Sequence, residues 1–483
     1  MTPAPTTIRF TARHLAAFLD FSRDHNPLHA DPGYASRTPF GEVVVPGMCA
    51  VISALTRIHG TPWRRVRGVF QSPIFLDRDY HLAIAAANTV TTLSVSRGTT
   101  AVAEITAFAD PDTAPFPTAV DPIAYRAGRT QYEPNAAALT EFFELSGGGV
   151  LAPDRVTALA WASYFVGMVY PGPQALFSSF DLSFDAGPSA RWGLVMERLA
   201  ATLDDRFHRV TVHGESNGPL RSVALQAFVR PERVAYSMSD IAAAAAGAGD
   251  WFRGKGVVVS GGTRGFGSVL TRALLLAGSR VLFTYHRSDE DARAIAADAR
   301  RHNARAIACQ VDLTAPHAAD ALRDGAGALG GIDLVISNAT LPIRPEPFVD
   351  QSPADVAGYI ARSAAMSAAF YHALVPLIAP GGIAVSVSSS YAVRPQPGFS
   401  HYISAKMAIE GMTRVLAVEH PEIRFVIARP GRMLTDQTNV PISLEPSLSA
   451  IDVAGRLLRE VAALATRERV TPSDVVEIDL SGS

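Results

Sequence analysis

The chain has 483 residues, 48% of them hydrophobic and 18% charged, with a formal net charge of −2. That length allows about three domains, each with ample core, and the near-neutral balance gives no basis for binding nucleic acid or an anionic membrane surface. No apolar run reaches the roughly 18 residues of a membrane span, Met1 to Arg9 holds no apolar signal core, and Cys49 and Cys309 lack disulfide or metal spacing, so a reducing, cytoplasmic location and no metal site are expected.

The first chemically informative stretch is Phe21-Ser22-Arg23-Asp24-His25-Asn26-Pro27-Leu28-His29-Ala30-Asp31-Pro32. It continues through Tyr34-Ala35 and Thr38-Pro39-Phe40-Gly41 to Val45-Pro46-Gly47-Met48. An apolar, Ala-rich helix is predicted from Gly47 to about Ile58, followed by strands over Val69 to Phe75, Leu82 to Thr92 and Ala101 to Ala109. From Thr11 to about Ala109 the Asp-x-Asn-Pro-x-His run, with its Pro-Phe-Gly and Gly-Met tail, resembles the MaoC-like hydratases. The resemblance implies a hot-dog fold, a helix wrapped by a curved antiparallel sheet, acting on (3R)-hydroxyacyl and 2-enoyl thioesters.

Removing water across C2–C3 of such a thioester needs a base for the C2 proton and an acid for the leaving hydroxyl, roles that Asp24 and His29 can share. Charge building on the thioester oxygen needs a donor, and a backbone N–H at the start of the central helix supplies one. By resemblance that donor is Gly47. The family often has histidine just before this glycine, where this chain has Pro46.

After the helix, Thr61-Pro62-Trp63-Arg64-Arg65-Val66-Arg67 sets three arginines beside a tryptophan. They are candidates for the phosphates of coenzyme A or a carrier protein's pantetheine arm, or form a solvated basic face. An internal repeat follows at an offset of 120 residues. Ser96-Arg97-Gly98 and Ala107-Phe108-Ala109-Asp110-Pro111 match Ser216-Asn217-Gly218 and Ala227-Phe228-Val229-Arg230-Pro231, and Gly47-Met48 matches Gly167-Met168. Ser146-Gly147-Gly148-Gly149 stands where the second copy would carry its acid and base. The expected layout is a double hot-dog, with a catalytic half over 1–130 and a non-catalytic half over 131–236 that completes the acyl tunnel. Residues 237–252, Ala- and Gly-rich without a core-facing period, are expected to be a linker.

The remainder, 253–483, alternates strand and helix. Strands are predicted over Gly256 to Val259, Arg280 to Tyr285, Ala306 to Val311, Asp333 to Ser337, Ile383 to Val387 and Ile423 to Ala428. This pattern argues α/β, a doubly wound parallel sheet of Rossmann type, with ligand at the carboxyl ends of the strands. Ser260-Gly261-Gly262-Thr263-Arg264-Gly265-Phe266-Gly267 joins the first strand to a helix, the context in which glycines admit a pyrophosphate to a helix N-terminus. Ser288 with Asp291 reads as the capping pair of the next helix.

Tyr402 and Lys406 stand four apart on one helical face, and Ser389 lies on the loop after the fifth strand. With Asp312-Leu313, Asn338-Ala339, Pro430-Gly431 and Thr435, these residues resemble the short-chain dehydrogenase/reductase family. The resemblance implies a catalytic triad of Ser389, Tyr402 and Lys406. It also implies a nicotinamide cofactor held by Gly261, Thr263, Arg264, Gly265, Phe266, Gly267, Ser288, Asp312, Leu313, Asn338, Ala339, Tyr402, Lys406, Pro430, Gly431 and Thr435. A phenol with a pKa of about 10 is a poor proton donor at neutral pH unless that value falls, and Lys406 with an oxidised nicotinamide ring is expected to lower it. An NAD site places a carboxylate at the end of the second strand. Here stand Tyr285-His286-Arg287-Ser288, so Arg287 and Arg264 point to a 2′-phosphate and hence NADPH. Ser363 falls where the family's relay asparagine would be.

The two activities are consecutive: NADPH-dependent reduction of a 3-oxoacyl thioester on acyl carrier protein or coenzyme A, then dehydration to the 2-enoyl thioester. The alternatives are the reverse pair, hydratase then dehydrogenase, and a reductase carrying a non-catalytic acyl-binding hot-dog scaffold. A homo-oligomer is expected.

Overall fold

A computed structural model describes residues 6–58, 63–110, 123–185, 187–216, 218–232, 234–440, 446–467 and 474–482. The chain divides into two units, Met1–Glu232 with Asn439–Ser443, and Arg233–Thr438 with Leu444–Ser483. No helix among the described residues is long and apolar enough to cross a membrane.

The first unit begins with β1 (Thr6–Arg9), α1 (Ala12–Ser22), α2 (Pro27–Ala30), α3 (Pro32–Ala35), β2 (Val44–Val45) and α4 (Gly47–Leu55). It continues through β3 (Arg65–Phe70), β4 (Ile74–Phe75), β5 (Asp79–Ala87), β6 (Val90–Arg97), β7 (Thr100–Phe108), β8 (Ile123–Ala127) and β9 (Thr130–Tyr132). Last come α5 (Leu139–Leu145), α6 (Pro153–Tyr164), β10 (Ala175–Phe184), β11 (Leu194–Asp204), β12 (Arg209–Ser216) and β13 (Leu220–Val229).

One antiparallel sheet runs β1-β5-β6-β7-β3-β10-β13-β12-β11-β8, with β9 also on β11. The order reads the same outward from its centre: β3, β7, β6, β5 on one side and β10, β13, β12, β11 on the other. Every residue of α4 from Met48 to Leu55 is buried, as is α6 from Asp154 to Ser163, and the two helices pack together. A helix with no polar face survives only when wrapped on all sides, so this is the double hot-dog.

Several sequence expectations need correction. Leu82 to Thr92 is not one strand: Asn88 takes φ 53° and turns the chain between β5 and β6. The repeat holds for the hairpins β6–β7 and β12–β13 but not for the glycines. Gly47 opens α4, whereas Gly167 lies in the π-helical turn Phe165–Val169 that ends the second central helix. Trp63 is core, 5% exposed against Phe184, and Arg65 forms a two-pronged ion pair with Asp181 at 2.9 and 2.6 Å. Only Arg64 and Arg67 of that arginine group are exposed; Thr61, Pro62 and Asn217 lie outside the described residues.

The second unit runs α7 (Met238–Ala246), β14 (Gly256–Val259), α8 (Gly265–Leu276), β15 (Arg280–Tyr285), α9 (Asp289–Arg301), β16 (Ala306–Gln310), α10 (Ala318–Gly327) and β17 (Ile332–Ser337). Then follow α11 (Pro353–Leu374), β18 (Ile378–Val387), α12 (Ser400–Glu419), β19 (Arg424–Pro430), α13 (Ala450–Thr466) and β20 (Val476–Leu480). Its parallel sheet has the order β16-β15-β14-β17-β18-β19-β20. The chain reverses direction of growth between β14 and β17, which opens a crevice at their carboxyl ends. β20 is a seventh strand beyond the six expected.

The expected linker is instead α7. Ser237 and Asp240 close a capping box at its start, and Ile241 and Ala245 join the core beside α8 and α13. The approach is close: a Cβ on Gly455 of α13 would lie 3.3 Å from Ala244. An Ala run shows no contrast between faces, so its core-facing side is invisible in the sequence.

Candidate active sites

In the first unit, α1 ends at Arg23 in the left-handed region, φ 56°, which swings Asp24 inward to 1% exposure. Asp24 Oδ1 accepts from the Asn26 N–H at 3.3 Å, and Oδ2 accepts from the Ser163 hydroxyl of α6 at 2.6 Å. Burial pushes the Asp24 carboxyl up, while His29, Ser163 and Asn26 pull it back. Asn26 caps α2 through the Leu28 N–H and donates to the Gly167 carbonyl at 3.1 Å. Pro27 then fixes the first residue of α2, and His29 follows on its last turn.

His29 Nδ1 lies 2.6 Å from the Val44 carbonyl. A carbonyl only accepts, so Nδ1 carries the proton and Nε2 keeps its lone pair. Burial holds His29 below the usual imidazole range, Asp24 opposes that, and Arg230 adds to it. The pair therefore has a sealed carboxyl group, hydrogen-bonded on both oxygens, and a part-buried imidazole.

Gly47 is the first residue of α4, after Pro46, which provides no side-chain cap. The first N–H groups of a helix have no intrahelical partner and carry the positive end of its dipole. A Cβ on Gly47 would sit 2.6 Å from the Phe70 ring, so a larger residue there would require the ring or the helix start to shift. Proline at 46 leaves this helix start intact.

Ser146, in the stretch where the second copy would carry its acid and base, is the C-cap of α5 and lies 3.0 Å from both His14 Nε2 and Ser53 Oγ. Burial takes His14 down to about 4, so this counterpart is a satisfied neutral cluster without an acid.

In the second unit the glycine loop is tied by its neighbours. Ser260 Oγ accepts from the Asn338 and Ala339 N–H groups at 2.8 and 3.0 Å, and Asn338 Nδ2 donates back to the Ser260 and Gly261 carbonyls. Gly261 and Gly265 take φ 62° and 50°, and a Cβ on Gly267 would lie 2.1 Å from the Gly261 carbonyl oxygen. Phe266 is core, 5% exposed. Thr435 borders Gly265, since a Cβ there would meet it at 3.3 Å. Gly431, after Pro430 at the end of β19, packs as closely on Ser481.

Ser288 does not cap α9 with its side chain. Its hydroxyl lies 3.2 Å from Thr263 Oγ1, beside the glycine loop. Arg287 is exposed at the end of β15, and Arg264 is the N-cap of α8. Asp312 accepts from Thr314 and lies 3.8 Å from His286, and Leu313 is buried. A backbone cradle that a Cβ would fill, flanked by Thr263, Ser288 and two arginines, fits a nicotinamide dinucleotide.

Ser389, Tyr402 and Lys406 come together at the ends of β18 and α12, 7%, 9% and 5% exposed. Burial raises the Tyr402 phenol, and a hydrogen bond with Ser389 lowers it. Lys406 Nζ donates to the Val387 carbonyl at 2.8 Å and lies 5.6 Å from the Tyr402 ring centre. Burial brings Lys406 down to about 8, and Glu410 holds it up. In the protein alone burial dominates at the Tyr402 phenol, and the expected lowering is one that Lys406 and an oxidised nicotinamide ring supply together. The Ser363 hydroxyl is buried without a partner and lines the same small pocket as Ala339, Thr340, Tyr359, Tyr402 and Lys406.

Residues 255–442 match the family model described as short chain dehydrogenase, and residues 2–73 match that described as MaoC like domain. An uncharacterized oxidoreductase of Mycobacterium tuberculosis, MT0954, is 31% identical over 198 residues, which span 40% of this chain and 74% of that protein. The chain belongs to the short chain dehydrogenase family. It carries a MaoC-like domain at its N-terminal end, a MaoC–short chain dehydrogenase fusion. The 3beta-hydroxysteroid dehydrogenase 1 of Eggerthella lenta is 27% identical over 206 residues, 41% of this chain and 75% of that one. A crystal structure of a short chain dehydrogenase from Burkholderia cenocepacia in complex with NADP is 28% identical, covering 48% of this chain and 98% of that chain at a TM-score of 0.43.

Three polar groups escaped the sequence reading of this short chain dehydrogenase and its MaoC-like partner. Glu410 follows Tyr402 and Lys406 on the same face of α12, a spacing that marks it. It accepts from Ser388 at 2.7 Å and from Arg429 at 2.8 and 2.7 Å. Burial alone would push its carboxyl up, but Arg429, Ser388 and Arg414 outweigh that and hold it low. Ser163 bonds Asp24 from far along the chain, and Arg230, marked in the sequence only as part of the repeat, bonds Tyr34 on the segment that carries His29.

Proposed function

We propose that the chain is a bifunctional acyl-thioester enzyme, a 3-oxoacyl-thioester reductase dependent on NADPH joined to a 3-hydroxyacyl-thioester dehydratase. The observation that carries this is the presence in one chain of two assembled acid–base sets, Asp24/His29 and Ser389/Tyr402/Lys406, whose products and substrates are consecutive. Arg264 and Arg287, with no acid at the end of β15, support NADPH, because guanidinium groups match a 2′-phosphate.

In the reductase, Gly261, Gly265 and Gly267 with the first turn of α8 would hold the pyrophosphate, and Thr263, Ser288, Arg264 and Arg287 the adenosine end. Asp312, Leu313, Asn338, Ala339, Pro430, Gly431 and Thr435 would line the rest. When bound, the cofactor supplies the hydride. Ser389 holds the substrate carbonyl oxygen, and the Tyr402 phenol gives it a proton. Lys406, charged and close by, steadies the phenolate left behind, and Ser363 is placed to hold a water near Lys406 for reprotonation.

In the dehydratase, the Gly47 N–H stabilises charge on the thioester oxygen. The C2 proton passes to His29 Nε2, the imidazolium so formed gives that proton to the C3 hydroxyl, which leaves as water, and Asp24 holds the pair oriented. The thioester is carried on coenzyme A or an acyl carrier protein. Incubating the full chain with a 3-oxoacyl thioester and NADPH, and weighing the acyl product, tests the whole reading. A 2-enoyl product is expected. A product that stays at the 3-hydroxyacyl stage, with no hydration of enoyl thioesters in the reverse assay, defeats the dehydratase half.

A further inference from the structure

Successive residues at the end of β18 are each bonded to α12. The Val387 carbonyl accepts from Lys406 Nζ at 2.8 Å, the Ser388 hydroxyl donates to Glu410 Oε1 at 2.7 Å, and Ser389 shares a hydrogen bond with Tyr402. Tyr402, Lys406 and Glu410 recur every four residues along one helical face. Ser388 is 2% exposed, and its N–H donates to the Ala428 carbonyl of β19 at 2.7 Å.

Glu410 is fully buried, and its charge is matched without help from Ser388. Arg429 donates to both of its oxygens, from Nε at 2.8 Å and from Nη2 at 2.7 Å, and Arg414 adds a contact at 3.2 Å. Both arginines also reach Glu477 of β20 at 2.6 Å. A two-pronged guanidinium–carboxylate pair fixes direction as well as distance. The carboxylate is thus a rigid point, and the bond from Ser388 fixes the serine rather than the ion pair. Arg429 stands immediately before Pro430, so the anchor belongs to the strand end that the proposed function sets against the cofactor.

We propose that Ser388 is a positioning residue for Ser389: its bond to the Glu410–Arg429 pair sets the backbone from which the Ser389 hydroxyl meets Tyr402 and the substrate carbonyl oxygen. The kinetic consequence rests on the reductase reading; the placement of Ser389 against Tyr402 does not. Beyond Val387 the regular strand ends, and Ser389 opens a short 3-10 turn, Ser390–Ala392. The side-chain bond of Ser388 therefore holds the chain where the strand gives out. A shift of about 1 Å in a catalytic group can cost about a hundredfold in rate, so this bond governs the chemistry without touching the reacting atoms.

The test is a double-mutant cycle in the full-length chain. Ser388→Ala and Ser388→Cys both remove the strong donor, so that one that fails to fold does not end the experiment. Each is expected to lower kcat for ketone reduction by about tenfold or more and to leave the Kd for NADPH nearly unchanged, because the glycine loop is untouched. In a Ser389→Ala background the same change should cost almost nothing further, since no hydroxyl is left to position. A second arm needs no turnover. With tyrosine carbon-labelled at Cζ, and Tyr402 assigned by its loss in Tyr402→Phe, the Tyr402 resonance should move in Ser388→Ala in the same direction as in Ser389→Ala. An undiminished kcat, an equal loss in both backgrounds, or an unmoved Tyr402 resonance overturns the proposal. If the wild-type chain reduces no 3-oxoacyl thioester, the reductase reading fails, and the resonance alone decides the placement of Ser389.

Discussion

The hydroxyl of Ser163 donates to Asp24 Oδ2 at 2.6 Å across 139 residues of sequence. The donor is on the central helix of the second hot-dog half and the acceptor is in the motif of the first. The second half, expected to complete the acyl tunnel and the dimer-like sheet, also completes the hydrogen-bonding of the buried acid. A hydrogen bond to a charged group contributes about 1.5–3 kcal/mol, so Ser163→Ala should cost roughly tenfold or more in the hydration kcat. The Asp24 carboxyl should titrate higher, because the lost bond favoured its charged form. Hydration kinetics against pH, with ketone reduction as the internal control, check both.

A sharper steric test lies at Gly167. A Cβ there would sit 2.5 Å from Asp24 Oδ1, a contact that forces the carboxylate to move. Gly167→Ala should abolish enoyl hydration while circular dichroism and the reductase rate hold. Undiminished hydration would show that Asp24 is not where the chemistry occurs.

Much of both sites could be read from the sequence because their chemistry is local. The Asp24-to-His29 run, the glycine loop and the Tyr402/Lys406 spacing each sit within one turn or one helix. What stayed hidden is what tertiary packing assembles. Ser163, Gly167 and Arg230 look like ordinary residues until the second half folds against the first motif. The offset that paired Gly47 with Gly167 was correct for the hairpins, whose lengths match. It failed at the central helices because α6 starts farther ahead of its glycine than α4 does. The stretch taken as a linker misled for another reason. Alanine packs against a neighbouring helix without any hydrophobic contrast, and its capping serine and aspartate were the signal to heed.

Tyr402→Phe should remove ketone reduction and leave cofactor binding nearly unchanged. The phenol is needed for the proton, whereas the glycine loop, Asn338 and Thr435 do not touch it. Fluorescence titration of NADPH beside a turnover assay separates the two. Retained turnover would sink the triad assignment.

Preference for NADPH over NADH should be marked and should narrow in Arg287→Ala. Arg287 is exposed at the end of β15, so its removal costs no core packing. The ratio of specificity constants for the two cofactors, in wild type and variant, is the measurement. Equal use of both cofactors by wild type refutes the phosphate reading.

The reductase should lose activity as pH rises through about 8, the value to which burial brings Lys406. Lysine is the charged form below that point, and its charge is what steadies the Tyr402 phenolate, so reduction is favoured on the acid side and fades on the basic side. Tyr402 does not cause this limb, since burial raises its phenol above the usual value of about 10. Glu410 holds Lys406 up, against burial. Glu410→Gln should therefore move the basic limb of kcat/KM to lower pH, with the variant reducing well only where Lys406 is still protonated. Because the Glu410 carboxylate also bonds Ser388 and Arg429, a loss of rate by itself would not separate charge from packing. The displacement of the limb does. Lys406→Arg provides the second arm: guanidinium stays charged through this range, so whatever activity it retains should show no basic limb near 8. A limb that stays in place in both variants would mean that Lys406 does not govern it.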